Sequence, residues 1–176
     1  MNDGDSSGKI NEGLFTSIGQ TWGTPQDLFD LLDSYFHFEL DAAADSSNAK
    51  CARYYSKDNS GLTQPWAKRT FLNPPYKDVE QWMRKACVEK EAGNTVICLV
   101  PARTDTQWFR QYCWNYADAM VFIYGRLPFT SQGATVGTAP FPSVIVMHGM
   151  DTLEPEPRRD DIIKKFSHRG KVVFLK

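Results

Sequence analysis

Leu28, Leu31, Leu32 and Tyr35 recur at the i, i+3, i+4, i+7 spacing of one buried helical face. Just before them, Thr24 is suited to cap a helix and Pro25 to occupy its first position. Residues 38–41 then read as a short buried strand running into Ala42, Ala43 and Ala44 and a polar, turn-prone stretch. A second strand, Arg69–Leu72, stops at Asn73-Pro74-Pro75-Tyr76, because tandem prolines can neither donate to a ladder nor continue a helix interior. Val79, Trp82, Met83 and Ala86 mark another amphipathic helix, closed by Gly93 as a left-handed cap. The apolar run 95–100 has the pattern of a strand covered on both faces. Asp105 is placed to cap a helix carrying Trp108, Phe109 and Tyr112, and residues 120–124 and Ser143–His148 read as two further strands.

Strands alternating with helices predict an α/β fold, Rossmann-like, with a parallel sheet covered on both faces. The strands at 120–124 and Ser143–His148 have no helix between them, so an antiparallel hairpin at one edge of a compact mixed sheet is expected. Their connection, residues 125–142, holds three prolines and three glycines and reads as a long functional loop, a gate over the site. Ligands of such sheets bind beyond the carboxyl ends of the strands, which gathers Asp41, Asn73 to Tyr76, and Pro101 to Asp105 around one crevice. Residues 1–18, rich in Gly, Ser, Asn and Asp, read as a flexible leader, 19–150 as the main domain, and 151–176 as an extension on or beside it.

Composition narrows the function classes. The chain has 176 residues, with 20 Lys plus Arg against 21 Asp plus Glu. Binding held mainly by phosphate contacts calls for a basic excess, so any nucleic-acid contact must be local. Residues 151–176 are the more basic part, with 7 basic and 5 acidic side chains. No apolar run approaches the ~18 residues of a membrane span, and no secretory signal is visible, so a soluble, cytoplasmic protein without membrane contact is expected. Cys51, Cys87, Cys98 and Cys113 form no C-x-x-C pair, and the histidines are scattered; they read as reduced thiols, with neither disulfides nor a metal site.

Asn73-Pro74-Pro75-Tyr76 carries the chemistry. The Asn73 side-chain oxygen and the Pro74 carbonyl are two acceptors that can face one NH2 group. An exocyclic amine such as adenine N6 is a poor nucleophile because its lone pair is delocalised into the ring. Accepting both of its hydrogens favours the pyramidal, nucleophilic form, while Pro74 and Pro75 fix the acceptors. Tyr76 offers a face for base stacking, a contact of roughly 1–3 kcal/mol that offsets the cost of flipping a base from a duplex. The bland reading of the motif is a rigid turn joining strand to helix. Methyl transfer to a neutral amine needs no metal and no strong base, since alignment supplies most of the catalysis.

The chain resembles the N6-adenine DNA methyltransferases, in particular the small phage-type DNA adenine methyltransferase family. The resemblance covers about residues 20–149 and rests on Trp22-Gly23-Thr24-Pro25, Leu40-Asp41-Ala42-Ala43-Ala44, Asn73-Pro74-Pro75-Tyr76, residues 100–106 with Trp108-Phe109, and Gly125-Arg126-Leu127-Pro128-Phe129. It implies S-adenosylmethionine as methyl donor and unmethylated adenine in double-stranded DNA as acceptor. It also implies that Asn73, Pro74, Pro75 and Tyr76 hold the target base. Trp22, Thr24, Pro25, Asp41, Ala43 and Asn73 would lie along the donor, and Asp58 is similar to the acid that binds the donor's own adenine. The chain departs from many methyltransferases in lacking any G-x-G after its first strand. Only 32 residues separate Asp41 from Asn73, so the strand and helix usual between them are expected to be shortened or absent.

Arg103 and Asp105 read either as a salt-bridged loop pair, with Thr106 as a helix cap, or as substrate contacts. Arg126 reads as a phosphate contact or a strand-end residue. Two rival functions stay open at this point. An Asn-Pro-Pro-Tyr site can also hold a glutamine side-chain amide, as in a protein methyltransferase. The absent Gly-rich loop would also suit a non-catalytic α/β module that binds nucleotide or DNA.

Overall fold

In the computed structural model of the chain, which describes residues 23–131, 134–153, 155–156 and 158–175, the predicted first helix is α1, Gln26–Phe36. It buries Leu28, Phe29, Leu32 and Phe36, and Leu31 and Tyr35 flank that face rather than centre it. Pro25 occupies the cap position with no side-chain cap bond, so Thr24 does not cap the helix; its hydroxyl is used elsewhere. At the other end His37 adopts a left-handed φ of 53°, and its N–H donates to the Asp33 carbonyl.

Strand β1, Leu40–Asp41, lies parallel to β2, Arg69–Leu72, which lies parallel to β3, Thr95–Pro101. Between β2 and β3 the chain makes a 3-10 turn, Tyr76–Asp78, and helix α2, Val79–Glu91, which ends with Gly93 at φ 84° as expected. No helix separates β1 from β2. The irregular link instead folds back so that Arg53 and Tyr55 exchange backbone hydrogen bonds with Asp41 along the open side of β1. The next helix is a single turn, α3 (Gln107–Phe109), that widens into a π-helical turn, Arg110–Trp114. Its cap position is Thr106, not Asp105, and the Thr106 hydroxyl donates to the Arg103 carbonyl.

Strand β4 is Ala119–Ile123, β7 is Ser143–His148, and β8 is Gly170–Phe174, preceded by helix α4, Arg159–Phe166. The six main strands stand in the order β1-β2-β3-β7-β4-β8. The sheet is mixed as expected, and β4 and β7 are antiparallel neighbours. They do not form the edge, however. β7 inserts between β3 and β4, antiparallel to both, and β8 pairs beyond β4 to take the edge. Central β7 is buried along its whole length, as its unbroken apolar run requires. Residues 125–142 are not an open loop either. They contain an antiparallel hairpin, β5 (Pro128–Ser131) and β6 (Ala134–Thr138), forming a separate two-stranded sheet.

Two apolar clusters line the two faces of the main sheet. One joins Leu72, Cys98, Val100, Val144 and Val146 to α2 and the α3 turn; the other joins Phe71, Ile97, Leu99, Ile145 and Met147 to α1 and α4. The strict alternation of these strand residues between clusters is the period-two geometry of a pleated strand. All four cysteines are free thiols, and burial pushes Cys51 up to about 12. Among the described residues no helix is long and apolar enough to cross a membrane.

Candidate active site

The carboxyl ends of β1 and β2 set the site. One residue past β2, Asn73 turns toward the α1 face, where its Nδ2 donates to the Thr24 hydroxyl at 3.1 Å. Its Oδ1 accepts the Tyr76 hydroxyl at 3.1 Å. Tyr76 reaches back because Pro74 and Pro75 force a corner and the 3-10 turn starts immediately after. The Tyr76 ring meets Phe141 edge-on, with centroids 5.2 Å apart, and burial raises its hydroxyl pKa. Pro74 is buried, and its carbonyl takes no hydrogen bond among the described residues. Both acceptors named from the sequence therefore sit on one stiff corner, and Tyr76 occupies one of the two lone pairs of Asn73 Oδ1.

A narrow cavity of about 30 Å³ adjoins this corner, lined by Gly23, Thr24, Asp41, Ala43, Asn48, Lys50, Phe71, Asn73, Pro74 and Pro75. Asp41 is 3% exposed. Its Oδ1 accepts the Ala43 N–H at 3.3 Å and its Oδ2 the Lys50 N–H at 3.1 Å, so one carboxylate ties both ends of the 43–50 loop. Burial pushes that carboxyl up to about 6, against the pull of the Lys50 and Ala43 N–H groups and the Lys50 charge. The Lys50 ammonium is itself held by the Gln26 side-chain oxygen at 2.8 Å.

A wider groove of about 510 Å³ opens on the other side of Ala43 and Pro75, a volume suited to a small-molecule ligand. Asp45, Tyr55, Lys57, Asp58, Leu62, Asp78 and Trp82 line it. Its floor depends on a close approach. Trp66 stacks on Trp82 and donates Nε1–H to the Gly61 carbonyl at 2.7 Å, which presses the 58–62 segment against the end of β1. A Cβ on Gly61 would stand 2.3 Å from the Ala42 carbonyl oxygen, so only glycine fits. This glycine permits close backbone approach in a chain without a G-x-G after β1, and it lies in a different loop from the one where that approach was sought.

The structure thus brings Thr24, Asp41, Ala43, Asp58 and Asn73 to Tyr76 together along one edge, with Pro25 at the adjoining start of α1. Trp22 lies outside the described residues, as do residues 1–18. Arg103 and Asp105 are exposed and form no ion pair with each other; Asp105 borders a separate cavity of about 420 Å³ with Thr104, Gln107, Arg110 and Trp114. Arg126 is exposed at the root of the β5–β6 hairpin, beside none of these cavities. Sequence reading missed Asn48, Lys50 and Tyr55, which lie in a link without periodicity. It took Trp82 for core alone, and it passed over Phe141, whose position between Pro140 and Pro142 was the available signal.

Comparison with known proteins adds an independent line. A family model described as DNA N-6-adenine-methyltransferase (Dam) matches residues 13–156. A DNA N-6-adenine-methyltransferase of Escherichia phage T1 is 32% identical over 117 residues, covering 64% of this chain and 49% of that protein. One of Haemophilus phage HP1 is 29% identical over 115 residues, covering 63% of this chain and 66% of its own length. The putative methyltransferase YfdM of Escherichia coli K12 is 37% identical over 67 residues, 34% of this chain and 74% of that one. The match therefore spans about half of the phage T1 relative and just under two thirds of the phage HP1 relative.

Proposed function

The chain belongs to the DNA N-6-adenine-methyltransferase (Dam) family, and on that premise we propose that it transfers the methyl group of S-adenosylmethionine to N6 of an adenine flipped out of double-stranded DNA. The observation that carries this reading is the Asn73-Pro74 corner, two acceptors fixed at the carboxyl edge of the sheet beside a groove of about 510 Å³. When bound, S-adenosylmethionine supplies a methyl group on a positively charged sulfur. Ala43, Asp58, Leu62 and Trp82 would hold the donor in the groove, Asp58 as an acceptor for the amino group of the donor's own adenine, and the Gly61 contact keeps the floor of the groove in place.

At the corner, Asn73 Oδ1 and the Pro74 carbonyl accept the two amino hydrogens of the target base, so that its nitrogen lone pair points toward the groove. Thr24 fixes the orientation of the Asn73 amide by accepting from Nδ2, so the acceptor Asn73 would present to the base is Oδ1, the atom that the Tyr76 hydroxyl also reaches. Tyr76 stacks on the base, with Phe141 holding its ring from the edge. With the donor bound, the amine would form an N–C bond as the donor's C–S bond breaks, the electron pair would return to sulfur as a neutral thioether, and the methylated amine would release one proton to water. In this reading residues 19–150 are the catalytic unit, and the strand Gly170–Phe174 lies at the edge of its sheet. Incubation with methyl-labelled donor and unmethylated duplex should label DNA. Asn73→Ala should lower transfer by 100-fold or more while donor affinity, read by calorimetry, stays within a few-fold; an active Asn73→Ala protein refutes this role.

A further inference from the structure

The wide groove is lined unevenly by charge: the described residues around it include three carboxylates, Asp45, Asp58 and Asp78, and one ammonium, Lys57. Asp45 is engaged locally, since Ser47 gives it a hydroxyl at 2.6 Å and an N–H at 2.7 Å, and the Lys57 charge also acts on it. Asp78 is in a different position. It stands at the N-cap of α2, where an Asp side chain ordinarily accepts a backbone N–H of the first turn, yet it makes no such bond. Among the described residues it forms no ion pair either. Its exposed carboxylate is committed to neither task, and the residue borders the groove, whereas Lys77 beside it in the chain does not.

The corner sets where Asp78 stands. The Asp78 N–H donates to the Pro75 carbonyl at 3.1 Å across the 3-10 turn, and Pro75 borders the same groove. Asp78 therefore lies one turn from the two acceptors proposed to hold the target amine. A donor whose methyl reaches that amine has its sulfur at this end of the groove. Before transfer the sulfur is a sulfonium with a unit positive charge. Once its C–S bond has broken and the electron pair has stayed on sulfur, the spent donor is a thioether of nearly the same shape and no charge at that atom. A carboxylate near the sulfur separates the two by charge alone. We propose that Asp78 is a specificity-determining residue of the donor site, favouring the sulfonium over the neutral thioether and so easing release of the spent donor. This rests on the reading of the groove as the place where S-adenosylmethionine binds.

S-adenosylhomocysteine, the thioether left after transfer, is the internal control, because a disturbed helix or groove wall acts on both compounds alike. Calorimetry should show Asp78→Asn lowering affinity for S-adenosylmethionine about three- to fivefold, the upper range for an exposed charge pair, while affinity for S-adenosylhomocysteine changes less than about twofold. Asp78→Ser, neutral and equally suited to the N-cap, should shift the ratio of the two affinities in the same way. In the wild type, raising salt from about 0.01 M to about 1 M should lower that ratio by a similar factor, because exposed charges are screened. A ratio that stays the same in both variants, whether both affinities hold or fall together, overturns the proposal and leaves the donor site in place. Binding of neither compound by the wild type overturns it together with the donor reading.

Discussion

At Asp41 a single carboxylate bears conflicting demands. It is removed from water yet must stay an acceptor for two backbone N–H groups, and burial pushes its pKa from the ordinary 3.8 to about 6. The folded protein therefore holds this proton more tightly than the unfolded chain. The stability contributed by Asp41 is full below the unfolded value and is lost as pH rises through about 6. At about 1.4 kcal/mol per pKa unit, the loss amounts to about 3 kcal/mol. Urea unfolding from pH 3 to 7.5 should show wild type losing that much relative to Asp41→Asn, whose side chain does not titrate; a constant difference would sink the argument. Thr24 shows how residue identity and role can part. Its sequence context suggests a helix cap, but its hydroxyl accepts from Asn73, and α1 starts on Pro25 without a side-chain cap.

Among the elements, the 42–68 link does the most with the least regular structure. It replaces a helical crossover, lends backbone hydrogen bonds to the open side of β1, and folds Gly61 onto the Ala42 carbonyl. Gly61→Ala puts a Cβ 2.3 Å from that oxygen and 3.2 Å from the Trp82 ring, so the 58–62 segment must lift from the floor of the groove. Donor affinity measured by calorimetry should fall at least tenfold while binding of duplex DNA in a gel shift is unchanged. Equal donor affinity would remove the groove from the donor's site. Strands β2 and β3 were legible because each is a short apolar run cut off by proline or by turn residues. The β5–β6 hairpin was not, since its prolines and glycines look like loop composition when cross-strand partners are unknown.

For the molecule as a whole, the near balance of 20 basic and 21 acidic side chains limits how much electrostatics can contribute to the proposed binding of DNA. Affinity should fall with salt along a shallow slope. Arg126→Ala should weaken binding to all duplex sequences alike and reduce the log–log slope by about one, as expected for loss of one phosphate contact. A change in sequence preference instead would place Arg126 on a base. By itself the sequence determined the α/β class, most element boundaries, and the Asn73-Pro74-Pro75-Tyr76 corner, because periodicity and proline act over a few neighbouring residues. Tertiary structure alone decided that β7 enters between β3 and β4 and that β8 closes the edge. Only the fold, likewise, joined Thr24 to Asn73 across 49 residues and pressed Gly61 on Ala42. Strand order and close backbone approach depend on which distant surfaces bury one another, and no local pattern encodes that choice.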